Sequence, residues 1–213
     1  GEFFPEAETL DIDRESLGCQ LASLLAALHN ISPDTFEENY DVELTSYYYR
    51  QLQGMRDQYL AMGGELAIVF SAFKYLLDNI ATVVGPIRLS HGDFGLQNIL
   101  LKDGKISGIL DWELSQWAPI GLDVGSVFHV IDYLMPWHRF VSAYNDAGGN
   151  SNLLDQKHIY FFRLYTALRA VITSHAAAHL FCTGQADDLV MAHAGSVMAL
   201  RAQILLARAL GQS

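Results

Sequence analysis

The chain has 213 residues, of which 51% are hydrophobic and 17% charged, a size and composition that suit a globular domain with one sizeable core. Thirteen basic residues against 24 acidic ones give a net charge of −11, which leaves no basic stripe for phosphates and argues against nucleic-acid binding. The least charged stretch, residues 170–186, contains two histidines, a serine and a glycine, so no window is expected to have the length and purity of a membrane helix. We expect neither a nucleic-acid nor a membrane partner.

The cysteine content indicates a compartment. Cys19 and Cys182 both lie in apolar, helical contexts, and no signal peptide is visible. This usage favours a reduced, cytoplasmic protein over a disulfide-bonded one. The acidic surface can attract a cationic small molecule, and it is also a common way to stay soluble.

Three helices are predicted in the first 80 residues. Asp11 or Asp13 can cap a helix that runs to about His29, with leucines recurring along one face. A second helix is predicted over residues 42–62 and a third over residues 65–79. The first 80 residues are therefore predicted to be mainly helical.

A short apolar strand at residues 87–89 leads into His91-Gly92-Asp93, a sharp turn that Gly92 permits. A carboxylate at Asp93 could accept the proton of an attacking hydroxyl. The alternative interpretation is an Asx-turn aspartate beside an ordinary polar hairpin.

A β-hairpin is predicted directly after this turn, because Asp103-Gly104 separates two apolar runs. The turn pairs Lys102 with Lys105, Leu101 with Ile106, and Asn98 with Ile109. Since side chains alternate, the core face should carry Ile99, Leu101, Ile106 and Leu110. The outer face should carry Asn98, Leu100, Ser107, Ile109 and Asp111.

Asn98 and Asp111 become diagonal neighbours on the outer face, with β-carbons roughly 5–8 Å apart. Two oxygen ligands placed in this way can share one hard cation such as Mg²⁺. Phosphoryl transfer requires a protein mainly to position the reactants and to neutralise charge. Asp93 and these two ligands would be sufficient for both tasks on one side of a nucleotide.

The rest of the chain is predicted to be helical over residues 124–134, 137–146, 154–179 and 187–210. His175 and His179 have a spacing that can bind a transition metal, but no glutamate follows His175 and no third ligand is evident, so helix packing is favoured. Stacking on a ligand is an option for the aromatic residues Tyr47, Tyr48, Tyr49 and Trp117, for which packing is again favoured.

The segments HGDFGLQNILL, GILDWE and PIGLDVGSVF are similar to the motifs of the aminoglycoside phosphotransferase and choline-kinase-like family. Upstream, LGCQLASLLAALH resembles the helix that follows the hinge between the two lobes of these enzymes. The resemblance covers most of residues 1–130. It implies an α+β, predominantly helical fold, the C-terminal lobe of a protein-kinase-like enzyme whose small β-hairpin carries the metal-binding residues.

The resemblance also implies a role for individual residues. Asp93 would be the catalytic base, and Asn98 and Asp111 would bind Mg²⁺ and, through it, the nucleotide. His91 and Asp123 would support the catalytic loop, Asp123 by accepting hydrogen bonds from its backbone.

The implied reaction is transfer of the γ-phosphoryl group of ATP, with GTP left open, to a hydroxyl of a small molecule. Glu113 lies on the side of its strand that faces the site, where it would touch metal-bound water or substrate, or remain a solvated carboxylate. Aminoglycosides, macrolides, amino alcohols, homoserine and sugars all stay open as acceptors, because fold does not fix substrate.

The chain departs from the family in lacking a Gly-rich loop followed by a strand lysine. Its glycine pairs at 63–64 and 148–149 are isolated, and none of its four lysines (Lys74, Lys102, Lys105 and Lys157) suits the role. The first residues, GEFFPEAETLD, resemble the hinge. We therefore expect residues 1–213 to form the C-terminal lobe alone, without the N-terminal nucleotide lobe and without activity by itself. Its expected parts are a hinge-like segment at 1–12, helices at 13–85, a catalytic core at 86–134 and helices at 135–213.

Two other functions are compatible with the sequence. The first is a pseudokinase-like binding or regulatory module that keeps the lobe without catalysis. The second is a metal-dependent phosphoesterase, which is disfavoured because one hairpin metal site without further His or Asp ligands is sparse for hydrolysis.

Overall fold

The structure is a computed structural model that describes residues 13–36, 43–83 and 85–211. The hinge-like segment 1–12 and the alternative cap Asp11 lie outside the described residues. The helices are α1 (Arg14–His29), α2 (Leu44–Ala61), α3 (Ala67–Asp78), α4 (Gly121–Leu134), α5 (Trp137–Asp146), α6 (Gln156–Cys182), α7 (Leu189–His193) and α8 (Ala199–Leu210). The strands are β1 (Ile87–Ser90), β2 (Ile99–Lys102), β3 (Lys105–Ile109) and β4 (Gln116–Pro119).

Short helical turns complete the secondary structure. Turns of 3₁₀-helix lie at Pro33–Phe36, Ile80–Thr82, Leu96–Asn98, Trp112–Leu114 and Ser151–Leu153, and a π-helical turn, Ala194–Met198, joins α7 to α8. The chain divides into two compact units. The first consists of Gly1–Asp41 and Gly85–Ile159, and the second of Val42–Val84 and Tyr160–Ser213.

The predicted helices are confirmed, with ends that differ from the expected ones by at most three residues. The two largest differences are at the end of α6, which is Cys182 rather than residue 179, and at the start of α4. Helix α4 begins at Gly121 rather than at residue 124 and so includes Asp123 in its first turn. Asp13 caps α1, because its carboxylate accepts the N–H of Glu15 at 3.1 Å.

The core of the first unit lies between α1, α4 and α5. Buried apolar side chains from these helices pack together, including Leu17, Leu21, Leu25, Val124, Val127, Ile131 and Phe140. The hairpin β2–β3 covers this core with the partly buried side chains of Ile99, Leu101, Ile106 and Ile109. The hairpin therefore rests on a helical core.

Strand β1 pairs antiparallel with β4, with Ile87 opposite Pro119 and Ser90 opposite Gln116. No strand was predicted for residues 116–119, since SQWAP has neither the length nor the alternation of a typical strand. The pairing aligns the end of β1 with the start of β4. The two segments that flank these ends, residues 91–95 and 112–115, are thereby brought together.

The hairpin turn at Asp103-Gly104 is confirmed, because Lys102 pairs with Lys105 and Leu101 with Ile106. The rest of the predicted register is wrong. Leu100 pairs with Gly108 and Ile99 with Ile109, so Ser107 is the extra residue of a β-bulge.

Beyond the bulge, the side chains of residues 109 and 110 lie on the faces opposite to the predicted ones. Ile109 packs on the core, whereas Leu110, which was expected there, is 46% exposed. Asn98 belongs to the 3₁₀ turn before β2 and lies opposite Leu110, whose N–H donates to the Asn98 carbonyl at 2.8 Å. It was predicted to lie opposite Ile109.

Aromatic packing organises the second unit. The Tyr48 ring is 2% exposed and makes edge contacts with Phe161, Phe162 and Tyr165. This is the packing role favoured for Tyr48 by the sequence, whereas Tyr49 is exposed.

His175 also has a packing role. Its Nε2 lies 3.1 Å from the Met62 carbonyl oxygen, and its ring lies 4.9 Å from that of Tyr59. The helix-packing interpretation of His175 is therefore the one that the structure supports.

The prediction that no window is apolar enough to span a membrane is wrong for the C-terminal helical stretch. Leu189–Leu210 has 22 residues and a mean hydropathy of 1.5, and 11% of its most apolar window is buried. By length and composition alone it could cross a membrane. The prediction failed because it considered only the least charged stretch. In Leu189–Leu210 the hydropathy of the alanines, leucines and valines is greater than the opposing contribution of two arginines.

Candidate active site

The turn at His91-Gly92-Asp93 requires glycine at its centre. Gly92 has φ +83°, and a β-carbon there would lie 2.9 Å from the Leu114 carbonyl carbon and closer still to its oxygen. The 3₁₀ turn after β3 therefore presses directly against the backbone of the turn.

Replacing Gly92 with alanine is expected to lower the free energy of unfolding by about 3 kcal/mol or more, because strain and a backbone clash add. Gly104→Ala is the matched control, since Gly104 has φ +73° with open space around it and should cost only about 1–2 kcal/mol. Denaturant unfolding measures both values. Equal losses in the two variants would show that Leu114 does not constrain the turn.

The His91 ring links the turn to the end of β3. Its Nε2 lies 2.8 Å from the Leu110 carbonyl oxygen, and its Nδ1 lies 3.3 Å from the N–H of Asp93. A carbonyl only accepts and an amide N–H only donates, so the ring carries its proton on Nε2. His91 is buried, with its ring 4.8 Å from that of Trp112 and 6.1 Å from that of Phe94.

Asp123 holds the backbone of the same turn. Its carboxylate is completely buried, and it accepts the N–H of His91 at 2.8 Å on Oδ2 and that of Gly92 at 2.9 Å on Oδ1. Hydrogen bonds to a carboxylate are stronger than those between two neutral groups, and the first turn of a helix further stabilises a negative charge.

Asn98 engages Asp93 through its amide nitrogen. Nδ2 donates to the Asp93 carbonyl oxygen at 2.9 Å and to Asp93 Oδ2 at 3.2 Å. Asn98 is 7% exposed and Asp93 is half-buried. The pair leaves two oxygens with accepting capacity, Oδ1 of Asn98 and Oδ1 of Asp93; in the part of the chain that the structure describes, no hydrogen bond engages the latter.

Asp111 directly follows Leu110, whose backbone binds both Asn98 and His91. The backbone N–H of Leu110 donates to the Asn98 carbonyl oxygen, and the backbone carbonyl of Leu110 accepts from His91 Nε2, both at 2.8 Å. Asp111 itself has a left-handed conformation (φ 64°, ψ 59°), is exposed, and makes no capping hydrogen bond to the 3₁₀ turn that it precedes. The structure thus brings the backbone of Asp111 beside Asn98 and leaves its carboxylate available.

The oxygen donors of this site fit a hard divalent cation. Asp111 and Asn98 offer a carboxylate and an amide oxygen, the ligand types that Mg²⁺ prefers. Within residues 13–36, 43–83 and 85–211, no three His, Cys, Asp or Glu side chains are grouped as a metal site. A cation here would therefore depend on other oxygen ligands, such as phosphates and water.

Sequence reasoning missed two contributors to the site. Trp112 donates Nε1–H to the Ile109 carbonyl at 3.1 Å while its ring lies against His91, and Leu114 contacts Gly92. Trp112 belongs to the motif segment GILDWE but received no role, and the only signal for Leu114 was its proximity to that segment. Glu113 is exposed within the same 3₁₀ turn.

The chain has recognisable relatives. The model of the phosphotransferase enzyme family matches residues 5–171. No curated protein matches the chain in sequence. Among solved structures it is similar to a candidate aminoglycoside phosphotransferase of Ralstonia eutropha JMP134, with a TM-score of 0.68 and 16% identity over 93% of this chain and 66% of that one.

Two further structures extend this comparison. The chain is similar to macrolide 2'-phosphotransferase MphH of Brachybacterium faecium, with a TM-score of 0.53, 17% identity and coverage of 87% of this chain and 62% of that one. The choline kinase LicA of Streptococcus pneumoniae gives a TM-score of 0.56, 15% identity and coverage of 93% and 67%.

At these identities the likeness shows the fold, which is the predicted α+β, predominantly helical, protein-kinase-like one. The chain spans 66% of the length of the Ralstonia protein and 62% of the Brachybacterium protein. The family model covers more than half of the chain and includes every site residue described above. The chain therefore belongs to the phosphotransferase enzyme family.

Proposed function

We propose that the natural protein containing this chain transfers the terminal phosphoryl group of ATP to a hydroxyl group of a small molecule, and that GTP is an alternative donor. The observation that carries the proposal is the arrangement of Asp93, Asn98 and Asp111 about the Leu110 peptide. Within the described residues, Asp93 has one carboxylate oxygen free and contacts Asn98, and Leu110 brings the backbone of Asp111 beside Asn98. A base with two oxygen donors for a cation would meet the needs of phosphoryl transfer on this side of a site.

Asp93 would act as the base. Asn98 holds Oδ2, so Oδ1 is the oxygen that can receive a hydrogen bond from the acceptor hydroxyl. As the acceptor oxygen bonds to the γ-phosphorus, its proton passes to Asp93 Oδ1, and the bond from the γ-phosphorus to the β,γ-bridging oxygen breaks to release ADP. His91 accepts the N–H of Asp93, and Asp123 holds the backbone of His91, so the turn that carries Asp93 would stay in place during this step.

Asn98 Oδ1 and the Asp111 carboxylate would hold Mg²⁺. A cation held there would supply positive charge that neutralises the nucleotide phosphates. The exposed Asp111 side chain is free to turn towards the cation, while the Leu110 peptide fixes its backbone.

The acceptor is proposed to be a cationic small molecule. The net charge of −11 favours cations near the protein. The names of the similar structures mention aminoglycosides, macrolides and choline, which sets a panel of acceptors to test.

We further propose that this chain acts as the C-terminal lobe and that a nucleotide-binding lobe completes the site. The chain contains no Gly-rich loop followed by a strand lysine. The coding sequence upstream of Gly1 tests this proposal. A Gly-rich hairpin with a strand lysine there supports the enzyme, whereas a natural gene without one supports the pseudokinase-like binding module.

The reduced, cytoplasmic location is also a proposal. It rests on the two cysteines, Cys19 and Cys182, both of which are free thiols.

Nucleotide consumption by the complete natural protein tests the function. ATP and Mg²⁺ are supplied with aminoglycosides, macrolides, amino alcohols, homoserine and sugars in turn, and ADP is measured. Consumption that depends on one acceptor class supports the proposal. ATP binding without consumption supports the binding module, and release of inorganic phosphate without any acceptor supports a phosphoesterase.

A further inference from the structure

A chain of buried contacts runs from α5 to the catalytic turn. The Tyr144 hydroxyl lies 3.0 Å from His29 Nδ1, and His29 Nε2 lies 3.8 Å from Asp123 Oδ2. Asp123 in turn binds the backbone of His91 and Gly92. His29 is 3% exposed, and Tyr144 and Asp123 are completely buried, so water does not screen these contacts.

The Tyr144 ring is held in one position. It packs beside Phe140, and a β-carbon on Gly149 would lie 2.5 Å from its Cζ atom. The N–H of Gly149 also donates to the Tyr144 carbonyl at 2.9 Å, and Asn30, next to His29, donates to the Gly148 carbonyl at 3.2 Å. The isolated glycine pair at 148–149 therefore leaves space for the Tyr144 ring, in addition to following the end of α5.

The partners of the His29 ring determine where its proton lies. Burial raises the pKa of Tyr144 to about 12, against a smaller opposing effect of Arg88, so the hydroxyl stays protonated at neutral pH. A lone pair on Nε2 would face a buried carboxylate and be repelled by it. The favourable arrangement has Tyr144 donating to Nδ1, which leaves the proton of His29 on Nε2, the nitrogen near Asp123.

Nε2 makes no hydrogen bond within the described ranges of the chain, and 3.8 Å is too long for one. Its contact with Asp123 is therefore electrostatic and depends on the orientation of the ring. Tyr144 is the group that fixes this orientation.

We propose that Tyr144 and His29 are positioning residues, which hold Asp123, and through it the turn that carries Asp93, in the geometry needed for phosphoryl transfer. This inference rests on the proposed function. Tyr144 touches neither Asp93 nor the proposed cation site, and it acts through two intermediate side chains.

Amide hydrogen exchange and steady-state kinetics of the complete natural protein test the proposal in a Tyr144→Phe variant. The exchange of the His91 and Gly92 amides should become roughly three- to tenfold faster, the effect of weakening one hydrogen bond, while exchange in the centre of α4 changes less. The kcat should fall by a similar factor, with the KM for ATP unchanged.

Tyr165→Phe is the matched control. Tyr165 is likewise buried, with its pKa raised to about 12 by burial, but it lies in the second unit. Its loss should leave His91 and Gly92 exchange and kcat unchanged. A Tyr144→Phe variant that behaves like this control would overturn the proposal.

A second variant separates positioning from simple stability. In His29→Gln, the side-chain amide can donate to Asp123 without help from Tyr144, so adding Tyr144→Phe should have little further effect on loop exchange. Additive effects of the two substitutions would overturn the proposal. A specific change in exchange in a protein that transfers no phosphate would refute the proposed function and still support the positioning of the turn.

Discussion

Replacing Asp93 with asparagine is expected to lower the turnover of the complete natural protein by about 10²–10⁴-fold, the usual contribution of a general base. Asparagine keeps the shape of the side chain and an oxygen that can accept from Asn98 Nδ2. It cannot receive the proton of the acceptor hydroxyl. Nucleotide affinity should change by less than about twofold, since Asp93 does not bind the cation in this mechanism.

Asp103→Asn provides the control for that variant. Asp103 is an exposed aspartate at the hairpin tip with φ 51°, a conformation that asparagine tolerates. Its turnover should match the wild-type value. Steady-state kinetics and nucleotide titrations measure both quantities. Turnover within about threefold of wild type in Asp93→Asn would exclude the general-base role.

Replacing Asp111 with asparagine is expected to raise the Mg²⁺ concentration required for nucleotide binding by at least about 10–100-fold. The backbone is not a confounding factor, because asparagine tolerates the left-handed conformation observed at Asp111. The variant loses one negative charge from the proposed cation site. Nucleotide titration at several Mg²⁺ concentrations measures the effect.

Glu113→Gln is the matched control, because Glu113 is an exposed carboxylate two residues after Asp111, in the 3₁₀ turn that follows it. If Glu113 is a solvated carboxylate, its variant will keep the wild-type Mg²⁺ requirement. If it touches metal-bound water, the requirement will rise by less than in Asp111→Asn. An unchanged Mg²⁺ requirement in Asp111→Asn would contradict the ligand role of Asp111.

Two features of the site are held by different means. The turn with Asp93 is braced by a buried carboxylate and a buried imidazole, while Asp111 lies exposed at the end of a short hairpin. In the proposed mechanism the base would therefore be preorganised before substrate binds, and the Asp111 side chain would be free to adjust to a cation.

The position of the hairpin turn could be predicted from sequence because its signal, Asp103-Gly104, consists of the two turn residues themselves. The far end of the hairpin could not, because a bulge at Ser107 shifts the pairing of every residue beyond it. Ser107 Oγ donates to the Leu100 carbonyl at 3.2 Å, and no short-range pattern announces such a bond. One extra residue was enough to exchange Ile109 and Leu110 between the core and the surface.

The grouping of Asp93, Asn98 and Asp111 was expected from their spacing, but the means of holding them together was not. The sequence placed Asn98 and Asp111 on one strand face. In the structure, a 3₁₀ turn, a left-handed residue and the Leu110 peptide bring them together. The separation of their β-carbons and the metal-binding role both stay predictions.

Long-range contacts lie beyond the reach of a single sequence. Tyr144 meets His29 across 115 positions of the chain, whereas the contact of Asp123 with the His91 backbone was expected from the family resemblance. Tyr144 and His29 each look like an ordinary helix residue in the sequence. Their connection appears only after α1, α4 and α5 pack around one core.

Asp93, Asn98 and Asp111 are proposed to form a phosphotransferase site. The most direct test incubates the complete natural protein with ATP, Mg²⁺ and the acceptor that stimulates ATP consumption, and then analyses the products by mass spectrometry. We predict ADP and phosphorylated acceptor in equal amounts, both nearly abolished by Asp93→Asn. Phosphorylated acceptor formed at the wild-type rate by Asp93→Asn, or ADP with free phosphate and no modified acceptor, would contradict the claim.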